Sequence, residues 1–114
     1  MEYFVPKNWV TGSEQVHTTE GRLAAGQQLA EHAPLGQNQT TGEYHLWDPS
    51  ASDGTQLATR IAPQYLDSSS GAVSVQLIKN GIFNPDEVAW PDGTTEAQKL
   101  CAFSGTPISL QKPL

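Results

Sequence analysis

The chain has 114 residues, enough for one compact domain, and only 16% of them are charged, below the roughly 25% usual in soluble domains. Its net charge is −6, and the six basic residues (Lys7, Arg22, Arg60, Lys79, Lys99 and Lys112) are scattered, which argues against the clustered basic face that nucleic acid or an anionic membrane surface requires. The one cysteine, Cys101, excludes an internal disulfide and points to synthesis in a reducing cytoplasm.

Residues 1–22 read as an extended arm rather than as part of a folded core. Apolar residues come in beads, Tyr3, Phe4 and Val5, then Trp9 and Val10, then Val16, with neither a helical nor a strand period. The segment is too aromatic for a solubilising tail, in which aromatics are depleted. The beads therefore either pack on their own domain or dock on a partner, and the second reading is favoured. The start lacks the basic and apolar stretches of a secretory signal, and no apolar run reaches the length of a membrane span.

Residues 23–114 read as the folded domain. Leu23, Leu29 and Leu35 lie in a stretch broken by Gly26, Pro34 and Gly36, which predicts irregular chain with short extended pieces. Strands are expected at Glu43 to Trp47 and at Leu57 to Pro63, separated by the turn residues of 48–54. A turn-rich connection over 65–71 follows. From Val73 to Lys79 the chain alternates, with Val73, Val75 and Leu77 on one face and Ser74 and Gln76 on the other. Asn80-Gly81 then predicts a two-residue hairpin turn, because both residues tolerate positive φ.

Two short helices are expected next. Asn84 is a good N-cap with Pro85 behind it, and Trp90-Pro91 would end that helix. Thr95 with Gln98 forms a capping-box signature, opening a second helix from Glu96 to about Ala102. Pro107 to Leu110 reads as a last strand.

Few residues suggest chemistry. His17, His32 and His45 form no close ligand pair, and a zinc site would need three or four ligands converging from distant segments. Cys101 reads as a small buried apolar residue, since no base partner is evident. Asp86 and Glu87 suit the first turn of a helix, and Asp48, Asp53, Asp67 and Asp92 lie in turns. No phosphate loop, dinucleotide fingerprint or nucleophile elbow occurs. Trp47 and Trp90 read as core-covering residues, with a glycan- or receptor-binding platform as the alternative role. The expectation is a non-enzymatic protein with no catalytic, cofactor or metal site.

The run Val75 to Phe83, then Asp86-Glu87-Val88-Ala89-Trp90-Pro91, then Ala102-Phe103-Ser104-Gly105-Thr106-Pro107-Ile108-Ser109 resembles the lambda-type phage head decoration protein D family. Trp47-Asp48 resembles that family's Trp-Asp-Gly segment, with Pro49 in place of the glycine. The similarity spans about residues 43–110. It implies a mainly β domain (α+β) with two short helices, β-clip-like, carrying an extended N-terminal arm. It also implies a homotrimer at local three-fold positions on the outer surface of the expanded capsid, whose arms order against the major capsid protein. Catalysis, cofactors, nucleic acid and membranes have no part in that picture. Which arm residues touch the shell is inferred from chemistry alone: Tyr3, Phe4, Val5, Trp9 and Val10.

Overall fold

A computed structural model describes residues 9–12 and 15–112. The body is a closed five-stranded β-barrel. Its strands are β1 (His17–Leu23), β3 (Pro34–Gln37), β4 (Tyr44–Leu46), β5 (Arg60–Ile61) and β7 (Val73–Phe83). They run in the order β1-β4-β3-β5-β7, and β7 pairs back onto β1 to close the ring. Two short strands, β2 (Gln28–Leu29) and β6 (Leu66–Asp67), pair with each other apart from it. The last strand, β8 (Ile108–Leu110), lies parallel to the end of β7.

The ring closes unevenly. β1 and β7 share an antiparallel ladder from Leu23↔Val73 to His17↔Asn80, whereas β1 meets β4 at the single parallel pair Leu23↔Tyr44. Residues 17–22, assigned to the arm on sequence grounds, are therefore a barrel strand. Their pattern hid this because only Leu23 of β1 is buried. Gly21 explains part of that pattern. A methyl group there would lie 2.8 Å from Leu77 Cδ1 and 3.0 Å from the Tyr44 ring, so bare backbone lets these neighbours close in.

Strand β7 organises the core because successive side chains on a strand point to opposite faces. Leu77 joins Leu23, Leu35 and Tyr44 in one buried cluster, with Leu29 and Leu66 from the β2–β6 pair. Its neighbour Ile78 joins Trp47, Ile61, Phe83, Phe103 and Ile108 in a second cluster. The predicted alternation of Val73, Val75 and Leu77 holds for Val75 and Leu77 but not for Val73, which is 40% exposed, and Ile78 is buried too because that face is also covered.

The predicted hairpin at Asn80-Gly81 does not form, since β7 continues through both residues to Phe83. His17 and Thr18 face Asn80 and Ile78, which leaves Lys79 as the extra residue of a bulge. Asn80 Nδ2 donates to the Gln15 carbonyl at 2.8 Å, and Asn80 Oδ1 lies 3.1 Å from His17 Nδ1. Gly81 takes φ +142°, and a methyl group on it would lie 2.5 Å from the Phe83 ring. The dipeptide carries the strand on alongside β8 rather than reversing the chain.

The expectation of two helices in a β-clip-like domain is corrected: the body is a closed barrel with one α-helix among the described residues, α1 (Glu96–Cys101). It carries the expected Thr95–Gln98 capping box with both bonds formed. Pro85–Glu87 makes only a three-residue 3₁₀ turn, capped by the Asn84 side chain on the Asp86 N–H. It cannot propagate, because Val88 is already extended and the Ala89 N–H is taken by the His32 carbonyl at 3.0 Å. Between Leu57 and Pro63 only Arg60–Ile61 is strand, and Leu57 is 62% exposed.

Candidate functional site

Of the residues expected to contact a partner, Tyr3, Phe4 and Val5 lie outside the described residues. Trp9 and Val10 lie within them and are placed on the body of the same chain. Val10 bridges antiparallel to Phe83 and is half exposed. The Asn84 N–H donates to the Trp9 carbonyl at 2.7 Å, and the Thr11 N–H donates to the Ile82 carbonyl at 3.1 Å. Thr11 Oγ1 also donates to the Gln111 carbonyl at 2.6 Å. Residues 9–11 thus line one edge of the β7 end while β8 lines the other, where the Gln111 N–H reaches the Phe83 carbonyl.

The Trp9 indole stacks on the His32 ring with centroids 3.7 Å apart and planes 7° from parallel, and on Phe83 at 4.4 Å and 21°. Sequence reasoning passed over His32, and no local signal marks it as a platform. It occupies the third position of a turn closed by the Ala33 N–H on the Ala30 carbonyl, and its φ is +71°. A non-glycine residue there costs about 1–2 kcal/mol. The surroundings hold it in place. Its N–H donates to the Ala62 carbonyl at 2.8 Å, its carbonyl accepts from Ala89, and its Nδ1 lies 3.1 Å from the Glu87 carbonyl. That last contact assigns the proton to Nδ1, which leaves Nε2 3.7 Å from the Glu31 carboxylate.

The remaining chemistry-bearing residues do not converge. Among the described residues no group of three or more His, Cys, Asp or Glu side chains is placed to hold a metal ion. His17 contacts Asn80, and His45 lies 3.5 Å from Gln27 Nε2. Cys101 is exposed, not buried as expected, because α1 buries none of its residues. Asp53 is held below the usual carboxylate range by hydrogen bonds from the Thr55 side chain and then its backbone N–H. Asp67 is lowered by hydrogen bonds from the Ser69 backbone N–H and then the Ser69 side chain. Both are local turn arrangements.

Trp47 is buried and Trp90 half-buried, packed edge to face at 5.6 Å. Their indole N–H groups donate to the carbonyls of Gln56 and Pro85 at 2.8 and 2.9 Å. This is the core-covering role, and it leaves no open Trp47 face for a sugar ring.

A family model described as Bacteriophage lambda head decoration protein D matches residues 8–109. The chain is also 24% identical over 98 residues to the head decoration protein of Enterobacteria phage P21, across 86% of this chain and 81% of that protein. The family match begins one residue before Trp9, so residues 1–7 lie ahead of it.

Proposed function

The chain belongs to the Bacteriophage lambda head decoration protein D family, a family of structural phage head proteins, and we propose that it binds the outside of the expanded capsid as a homotrimer and cements the head. The trimers sit at local three-fold positions, and each chain is made in the host cytoplasm. Its partner is the major capsid protein. The contacts come from the segment ahead of Trp9, with Tyr3, Phe4 and Val5 as apolar anchors and half-exposed Val10 beside them. The observation that supports this reading most is the root of that segment. Trp9 and Thr11 are hydrogen-bonded onto the body at Asn84, Ile82 and Gln111, while Tyr3 and Phe4 precede both residues in the sequence.

One arm would hold weakly. Burying Tyr3, Phe4 and Val5 is worth roughly 5–9 kcal/mol at about 1.5–3 kcal/mol each. Ordering eight residues costs about 8–16 kcal/mol. Backbone hydrogen bonds from strand addition to a capsid sheet offset the difference. A trimer presents three arms, so the second and third dock at high effective concentration. Because this ligand binds the expanded lattice, it stabilises that lattice by mass action.

Sedimentation of the purified protein with expanded and with unexpanded heads tests the reading. The protein should pellet with expanded heads in multiples of three copies per three-fold position and stay in solution with unexpanded ones. Equal binding to both forms, or to neither, would contradict it.

A further inference from the structure

The proposed capsid contact needs the arm to leave the body at a defined point, and the geometry around Trp9 supplies one. Trp9 stacks on His32 and Phe83, and its carbonyl accepts from the Asn84 N–H. Two residues on, Thr11 bonds to both Ile82 and Gln111. Directly after it a methyl group on Gly12 would lie 2.5 Å from Ile82 Cδ1, so the chain is pressed against β7 there.

The platform is costly in itself. His32 is 7% exposed and holds φ +71°, a conformation that glycine or asparagine adopts more readily. Such strain persists where the surroundings over-determine it, and it clusters at functional positions. The turn alone does not call for an imidazole. What the imidazole adds is a flat ring against the indole, fixed in rotation by the bond from Nδ1 to the Glu87 carbonyl.

We infer that Trp9, held on the His32 ring and Phe83, is a positioning residue that sets the point and direction from which the capsid-binding segment departs. This rests on the proposed function and deepens it. The working arm is then residues 1–8, which fully extended reaches at most about 26–29 Å. With the clamp released, the anchors would be tethered to the body near the start of β1, about twice as far along the chain from Met1. The same anchors would then have to find their sites from a wider volume, and residues 9–12 would have to be ordered on docking.

The test compares the full chain with His32→Asn, Trp9→Ala and Trp9→Phe. Three readouts are taken: thermal melting, hydrogen exchange at the Thr11 and Asn84 amides, and affinity for expanded heads. His32→Asn accommodates the turn while removing the ring, so it should melt within a few degrees of the parent. It should also exchange both amides at least tenfold faster and bind heads at least tenfold more weakly. Trp9→Ala should do the same, and Trp9→Phe, which keeps a flat ring, should restore most of the binding. A Trp9→Ala chain that fails to fold leaves the decision to His32→Asn. If His32→Asn binds heads as the parent does, or leaves both amides protected, the positioning role is overturned while the decoration function stands. If the parent chain itself does not bind expanded heads, the proposed function fails and the inference with it.

Discussion

A chain lacking residues 2–8 is expected to fold as the full-length protein does and to lose its affinity for expanded heads by at least a hundredfold. Folding should survive because the barrel ladder, both apolar clusters and the anchoring bonds of Trp9 and Thr11 all lie within residues 9–112. The melting temperature should move by no more than a few degrees. Binding should fail because Tyr3, Phe4 and Val5 are removed. A net gain of only about 1.4 kcal/mol per arm is tenfold in affinity, and three arms acting on one shell multiply. Co-sedimentation with expanded heads measures the loss. Undiminished decoration by this chain would refute the arm's role. A deletion extended to residue 16 would test less cleanly. It would remove Trp9 from its cluster and Val16 from its place beside Gly81, so the body would suffer as well.

Phe83→Ala is expected to destabilise the fold by roughly 3–5 kcal/mol, the range for emptying a large buried site. That is a large part of the 5–15 kcal/mol that holds a domain together. Phe83 is fully buried in the second cluster, and its ring passes over the bare backbone of Gly81 and supports Trp9. Urea unfolding followed by circular dichroism should show a lower midpoint with little change in slope. Leu57→Ala is the control: Leu57 is 62% exposed, so the change should stay within about 0.5 kcal/mol. Equal effects from the two substitutions would mean that the second cluster is not where the stability resides.

What could be read from the sequence was what depends on near neighbours. The Thr95–Gln98 capping box needs only four residues and formed as expected. The alternation of Val75 and Leu77 marked part of β7. Long-range features were hidden. β1 has a polar sequence because its place depends on backbone pairing with β7 more than on side-chain burial. Asn80-Gly81 carries a turn signature, yet Asn80 bonds to Gln15 across 65 positions and Gly81 makes room for Phe83.

The site was legible in the same partial way. The aromatic beads drew attention to the N-terminus, but they could not separate Trp9 from Tyr3 and Phe4. What distinguishes Trp9 is a ring 23 positions later, on a turn whose positive φ no histidine announces. Cys101 has the apolar sequence neighbours of a core residue, but α1 is six residues long and buries none of its own residues.

An electron cryo-microscopy reconstruction of expanded heads saturated with the protein addresses the central claim most directly. The account predicts three barrels around each local three-fold axis on the outer surface. Density from each should run from Trp9 onto the major capsid protein beneath. Barrels held to the shell through some other face, with the segment ahead of Trp9 making no contact, would contradict it.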